Sequence, residues 1–91
     1  MCRNIKTLHN FDPPASADEV RAAALQYVRK VSGTQKPSKA NEAAFSRAVD
    51  EVAHITSHLL AELVTSAPPR DRDVDAARAR ARAEKRFGQA A

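Results

Sequence analysis

Large apolar side chains are scarce in this sequence, which has no tryptophan, one tyrosine and three phenylalanines. Hydrophobic residues make up 43% of the chain, but many of them are alanine. The 91 residues fit a single domain, and a domain of this size buries only about two-thirds of its unfolded surface. We therefore expect a modest core, with either modest stability or an oligomer that buries one face.

Cysteine occurs once, at Cys2, which excludes a disulfide within the chain and fits a reducing compartment. No apolar run approaches the roughly 20 residues of a transmembrane helix, and the N-terminus lacks the apolar segment of a signal peptide. We expect a cytoplasmic protein with no membrane partner. With only Gly33 and Gly88, the chain has no glycine-rich phosphate loop. It also lacks G-x-S-x-G and Cys-x-x-Cys, so no nucleotide hydrolase or classical hydrolase is indicated.

Net positive charge is concentrated at the C-terminal end of the chain. Residues 1–69 contain eight Lys/Arg and seven Asp/Glu, a net charge of +1, whereas residues 70–91 contain seven and four, a net charge of +3. The overall charge of +4 therefore belongs mainly to the C-terminal segment.

The first helix is predicted over residues 16–32. Ser16 and Glu19 have the spacing of a capping box, and Gly33 suits the left-handed residue that ends many helices. The spacing of the apolar residues between them predicts one buried stripe, formed by Val20, Ala24, Tyr27, Val28 and Val31.

The second helix is predicted over residues 38–64, with Ser38 or Asn41 as its N-cap. At about 100° per residue, its apolar side chains fall within an arc of roughly 120°, which predicts a core face. That face comprises Phe45, Ala48, Val49, Val52, Ile55, Thr56, Leu59 and Leu63. Thr56 is its one polar member and can bond to the preceding helical turn.

Two pairs of prolines interrupt helical structure. Pro13 and Pro14 precede the first helix, and Pro68 and Pro69 follow the second. Residues 1–15 are expected to form an ordered N-terminal arm that lays Ile5, Leu8 and Phe11 on the core. Residues 71–87 are expected to form a third, basic helix, capped by Asp71 or Asp73. No strand-like alternation is present. The sequence predicts one all-α domain, an antiparallel helical hairpin with a basic C-terminal helix and the arm.

Four potential metal ligands follow one another along the second helix at helical spacing: Glu51, His54, His58 and Glu62. Glu-x-x-His also occurs in carboxylate-bridged di-iron bundles, where the ligands point inward. Here the helical count places the group beside the core face and around to the solvent side. A solvated polar face is therefore favoured, and a surface metal site shared across a dimer is the alternative.

Cys2 and His9 form a second candidate site. After removal of Met1, Cys2 would carry a free amine and a thiol, which together can chelate a metal. The thiol can also act as a nucleophile if a base such as His9 lies beside it. The alternative is that Cys2 packs as a small hydrophobic residue.

Two basic segments are candidate binding surfaces. Lys36 and Lys39 flank Ser38 at a predicted helix N-terminus, where with Asn41 they can hold an anion or a partner. On the third helix, four cations cluster within about 100° and can neutralise nucleic-acid phosphates: Arg78, Arg82, Lys85 and Arg86. No aromatic residues alternate with them for base stacking, so a solvated helix explains most of this pattern.

Three segments, MCRNIKTLHNFDPPAS, RAAALQYVRKVSGTQKPSKANEAAF and APPRDRDV, resemble a family of small bacterial proteins catalogued as domain of unknown function 2277. The shared pattern includes Cys2 to Ile5 and Lys36 to Asn41 but not His54 or His58, and it implies no catalytic residue. LHNFDPPASADEVRAA and NEAAFSRAV are also similar to the opening of a J-domain. The loop lacks the His-Pro-Asp tripeptide, so this similarity implies only antiparallel helix pairing.

The function predicted first is a non-enzymatic interaction module that binds protein through the loop from Lys36 to Asn41 or through the basic helix, with a homodimer as one form. The alternative is a metal- or thiol-dependent activity of Cys2 with His9. Non-specific nucleic-acid binding by the basic helix is the second alternative. The sequence identifies no cofactor.

Overall fold

The computed structural model of the protein describes residues 5–88. In chain order they form strand β1 (Phe11–Asp12), helix α1 (Ala17–Ser32), a 3-10 turn (Lys39–Asn41), helix α2 (Glu42–Glu62), strand β2 (Arg70–Asp71) and helix α3 (Arg72–Gly88). The three helices contain most of these residues, so the prediction of a mainly helical fold is confirmed. No helix within residues 5–88 has the length and apolar character needed to cross a membrane.

Helix α1 begins and ends as its local sequence predicts. The Glu19 amide donates to Ser16 Oγ at 3.2 Å, and the Ser16 amide donates to Glu19 Oε1 at 3.0 Å. These two bonds are the predicted capping box. At the other end, Gly33 has φ 72°, a conformation that costs glycine little because it has no Cβ.

Helix α2 begins differently from the prediction. A 3-10 turn over Lys39–Asn41 precedes it, so Ser38 is followed by that turn rather than by α-helix. Ser38 makes no side-chain capping bond to the backbone. Instead its hydroxyl accepts a hydrogen bond from Asn41 Nδ2 at 2.9 Å. The two candidate caps therefore bond to each other, which leaves the N-cap position of α2, Asn41, without a side-chain cap.

The core lies between α1 and α2 and is small. Only four side chains of the described residues are buried, and none is larger than valine: Val20, Ala24, Val28 and Val49. Partly buried neighbours surround it, chiefly Leu25, Phe45, Ala48, Val52 and Ala53. Thr56 donates to the Val52 carbonyl at 2.6 Å, the predicted bond to its own preceding turn.

The core face predicted for α2 is only half correct. Phe45, Val49 and Val52 face α1, but Ile55, Leu59 and Leu63 are exposed, at 69%, 53% and 45%. On α1, Tyr27 and Val31 of the predicted stripe are also exposed, at 49% and 70%. The physical reason is that one partner helix covers only part of a 120° apolar arc, and among residues 5–88 no third element covers the rest.

A two-stranded parallel sheet, which the all-α prediction omitted, joins the N-terminal arm to the segment before α3. Phe11 lies opposite Arg70, and Asp12 lies opposite Asp71. Asn10 fixes this junction, since its carbonyl accepts from the Arg70 amide at 2.8 Å and its side chain donates to Pro68 O at 3.1 Å. Its φ of 63° lies in the left-handed region, which asparagine tolerates better than most residues.

Helix α3 is capped by Asp71, whose Oδ1 accepts from the Val74 amide at 3.0 Å. Among the described residues it makes little contact with α1 or α2. The radius of gyration is 16.4 Å, compared with about 12 Å for a compact domain of this length. Within residues 5–88, much of the helical surface therefore has no packing partner.

Candidate functional site

Arg72 holds the N-terminal arm, α1 and α3 together. Its Nη1 and Nη2 each donate to a different Glu19 carboxylate oxygen at 2.9 Å, and its Nε donates to the Pro13 carbonyl at 2.8 Å. Both side chains are mostly buried, with 30% of Arg72 and 27% of Glu19 exposed. A two-point arginine–carboxylate pair of this kind fixes orientation as well as distance.

Hydrogen bonds from Arg72, followed by the bond from the Ser16 amide, hold the pKa of Glu19 below its ordinary value. Burial raises this pKa, but the charges of Arg72 and Lys6 add to the lowering. Glu19 therefore stays ionised through the neutral range, and the capping box and the contact with α3 depend on the same carboxylate.

Two guanidinium groups lie over the ring of Phe11. Arg70 Cζ is 5.0 Å and Arg72 Cζ is 5.3 Å from the ring centroid, both within the range of a cation–π contact. Arg70 also pairs with Asp75 on the first turn of α3, with Nη2 to Oδ2 at 2.9 Å. Ile5, Leu8 and Phe11 were predicted to lie on the core. Leu8 and Phe11 are partly buried and line a cavity with Val20, whereas Ile5 is exposed.

Beside this junction lies a cleft of about 320 Å³ between the arm and one face of α3. Four of the residues lining it are cations and two are carboxylates. Its lining consists of Lys6, Thr7, Leu8, Phe11, Glu19, Arg70, Arg72, Asp75, Ala76, Ala79 and Arg82. The fold thus gathers positive charge and apolar surface in one concave place.

A second feature is an apolar stripe along α2 and its C-cap residue, which we define as Ala48, Val52, Ile55, Leu59 and Leu63. Ala48 and Val52 are partly buried beside α1, whereas Ile55, Leu59 and Leu63 are exposed. At about 100° per residue these five side chains lie within an arc of about 80°, and Ile55 and Leu59 at its centre are more than half exposed. Isolated apolar side chains are common on protein surfaces, but a row of them along one helix is typical of an interaction site.

Beside the stripe lie the four residues that the sequence grouped as potential metal ligands, Glu51, His54, His58 and Glu62. Glu51, His54 and His58 line a shallow hollow with Asp50 and Ile55, and Glu62 does not. The two histidine rings are 4.5 Å apart between centroids. Within residues 5–88, no group of three or more histidine, cysteine or acidic side chains has the arrangement needed to hold a metal ion.

Cys2 lies outside the described residues, so the predicted pairing of its thiol with His9 stays a prediction. His9 is partly buried and lines a cavity between the arm and the helix pair, together with Val20, Ser57 and Leu60.

The loop predicted to hold an anion lies at the end of α1. Lys36, Ser38 and Asn41 line one cavity of about 610 Å³ with Thr34 and Phe45, whereas Lys39 does not line it. The bond between Ser38 and Asn41 uses one of the two Asn41 Nδ2 hydrogens, while the Ser38 hydroxyl, which accepts in this bond, keeps its own O–H as a donor.

The four cations that the sequence grouped on the third helix all lie on α3, where the helical count keeps them within about 100°. Arg82 lines the cleft beside the arm, while Arg78 and Lys85 do not, and all three are exposed. Arg86 is exposed as well, one turn beyond Arg82. Their role as a binding surface stays a prediction.

The most connected residues, Asn10 and Arg72, are absent from the sequence-based candidates. Their contacts join positions more than 50 residues apart, such as Arg72 with Glu19, and no local pattern predicts such pairs. One local feature could have indicated the role of Asn10. It directly precedes the segment Phe11-Asp12-Pro13-Pro14, and asparagine at such a position often marks a turn.

The family model described as Uncharacterized conserved protein (DUF2277) matches residues 1–78. The chain belongs to this family. The match confirms the resemblance carried by the opening segment, the Lys36–Asn41 loop and APPRDRDV. The DUF2277 match covers the arm, both core helices, β2 and the first turns of α3. Among curated proteins and among solved structures, none matches this chain.

Proposed function

We propose that this DUF2277 protein is a small, non-enzymatic interaction module that associates with a second copy of itself through the α2 stripe. We also propose that it is a single cytoplasmic domain in which α1 and α2 form an antiparallel hairpin. The cavities between the helices support this direction, because Val20 near the start of α1 lies beside Leu60, and Val28 near its end lies beside Phe45. Two such hairpins can pair as a four-helix bundle.

The observation that carries the proposal is the exposure of Ile55 and Leu59, at 69% and 53%, in a chain with only four buried side chains among its described residues. In an antiparallel hairpin, the helical count places Tyr27 of α1 on the same side as these two residues. Three large apolar groups of the helix pair would then lie on its outer surface, where a second copy can cover them.

Surface area supports the same conclusion. The chain exposes 7355 Å², whereas a compact monomer of 9.9 kDa exposes about 5200 Å². A standard specific interface buries about 800 Å² on each partner. The excess surface is therefore larger than one such interface needs.

Charge supports a second copy over an unrelated partner. Two α2 helices packed antiparallel, with Val52 opposite the second copy's Ile55 and Ala48 opposite its Leu59, fill the seam with apolar groups. The same register places Glu51 opposite His58 and Arg47 opposite Glu62 in both directions. Three of the four potential metal ligands, Glu51, His58 and Glu62, then have complementary polar partners on the second copy.

The proposal is tested by measuring the dimer dissociation constant, Kd, by sedimentation equilibrium for the wild type and for Ile55→Gln. Burying the exposed 69% of Ile55 contributes about 1–2 kcal/mol per protomer. Two copies contribute about 2–4 kcal/mol, so Ile55→Gln is expected to raise Kd about 30- to 1000-fold. Glutamine keeps the helix propensity, so the monomer stays folded.

Val31→Gln is the matched control, because Val31 is equally exposed, at 70%, but lies at the end of α1 outside the stripe. It is expected to leave Kd unchanged. A wild type that stays monomeric over the accessible concentrations refutes the proposal, and so does an equal loss of affinity in the two variants.

A second candidate function, nucleic-acid binding, is favoured by one observation. Arg78 and Lys85 are exposed on α3 and take part in no ion pair among the described residues. Such binding would weaken steeply as salt increases, since it releases counterions from the phosphates. An affinity for duplex or single-stranded DNA that stays flat across a salt titration excludes it.

A further inference from the structure

We propose that the cleft between the N-terminal arm and α3 binds a small phosphomonoester with an apolar body, held by Lys6 and Arg82. The proposal is independent of self-association, because no residue of α2 lines this cleft. It rests on the charge balance of the cleft, on its apolar floor and on the rigidity of its wall.

Charge balance is the first observation. Both carboxylates of the cleft have arginine partners, since Glu19 bonds to Arg72 at two points and Asp75 pairs with Arg70. Lys6 and Arg82 take part in no ion pair among residues 5–88. Lys6 lines the cleft together with Arg82. Two positive charges therefore remain without a matching negative group, and a phosphomonoester carries about two negative charges at neutral pH.

The floor of the cleft is the second observation. It is formed by an aromatic ring and small aliphatic groups from the arm and from α3: Leu8, Phe11, Ala76 and Ala79. Ala76 and Ala79 are one turn apart, and their short side chains leave space beside the helix. A volume of about 320 Å³ accommodates a ring-sized group and lies at the lower end of the range for small-molecule sites. An inorganic anion alone would leave this apolar surface uncovered.

The rigidity of the wall is the third observation. Arg72 is fixed by three hydrogen bonds. The guanidinium groups of Arg70 and Arg72 lie 5.0 Å and 5.3 Å from the ring centroid of Phe11. A wall fixed before the ligand arrives loses little conformational entropy on binding. Lys6 supplies a compact ammonium, and Arg82 supplies a fork of donors that suits phosphate oxygens.

The test is isothermal titration calorimetry of the full chain with phenyl phosphate, inorganic phosphate and phenol as separate probes. Phenyl phosphate is expected to bind most tightly, because it alone has both the charge and the apolar body. Lys6→Gln and Arg82→Gln are each expected to weaken its binding about tenfold, the loss that follows from removing one charged hydrogen bond. Both residues are exposed, so these variants keep the fold.

Arg80→Gln is the matched control, since it removes the same charge from α3 at an exposed position that does not line the cleft. It is expected to leave binding unchanged. Ala79→Leu places a larger side chain in the cleft and is expected to abolish binding of phenyl phosphate. The proposal is overturned if phenyl phosphate shows no saturable binding, if inorganic phosphate binds equally well, or if Arg80→Gln costs as much as Arg82→Gln.

Discussion

Replacing Arg72 by glutamine removes the contact on which the position of α3 depends. The variant loses two charged hydrogen bonds to Glu19 and one bond to the Pro13 carbonyl. Hydrogen bonds to charged groups contribute about 1.5–3 kcal/mol when buried and far less at the surface. Because about 30% of each side chain is exposed, we expect the unfolding free energy to fall by about 2 kcal/mol in total.

The same variant is expected to change how stability depends on pH. The pKa of Glu19 is lower in the folded chain than in the unfolded chain, chiefly because of Arg72. A carboxyl group of this kind contributes its full stability above about pH 5, and the contribution is lost as pH falls through the folded-state pKa. The difference between wild type and Arg72→Gln should therefore be largest at neutral pH and shrink in acid.

The assay is urea unfolding followed by circular dichroism at neutral and at acidic pH, with equal protein concentrations so that association does not bias the comparison. Arg70→Gln is the control, because it removes a more exposed ion pair. The Arg70 side chain is 50% exposed, so its ion pair with Asp75 contributes less than about 1 kcal/mol to the unfolding free energy. A difference between Arg72→Gln and the wild type that is the same at both pH values would refute the assigned role of Glu19.

The remaining predictions concern the arm and the second copy. Asn10→Ala should lower stability by about 1 kcal/mol, because it loses the bond to Pro68 O and strains a positive φ, and should speed hydrogen exchange of the Arg70 amide. Asn10→Gly keeps the backbone conformation and should exchange less rapidly than Asn10→Ala; equal rates would contradict the strain argument. Glu51→Lys should raise the dimer Kd about 3- to 10-fold through two lost surface pairs, and adding His58→Glu should restore it. A double variant that is weaker than the single one contradicts the antiparallel register.

Features that depend on neighbouring residues could be predicted from the sequence. Ser16 and Glu19 are three positions apart, and Gly33 directly follows the helix that it ends, so the capping box and the left-handed end of α1 follow from local geometry. Thr56 and Asp71 likewise make the local bonds that their side chains favour. Local chemistry therefore located three helices along the chain.

Features that depend on distant residues could not be predicted in this way. A periodic pattern identifies the apolar arc of α2, but it cannot tell how much of that arc one neighbouring helix covers, so Ile55 and Leu59 were assigned to the core. Two-residue strands are too short to show alternation, and the partners of Arg72 lie elsewhere in the chain. The cleft that Arg82 and Lys6 share depends on this non-local junction and was not predicted either.

The most direct test of self-association is a native mass spectrum of the untagged wild-type chain over a range of protein concentrations. The chain has a mass of 9.9 kDa. Self-association through α2 predicts a species of twice that mass, whose share rises with concentration and which Ile55→Gln removes. A spectrum that shows only the monomer at every concentration would contradict it.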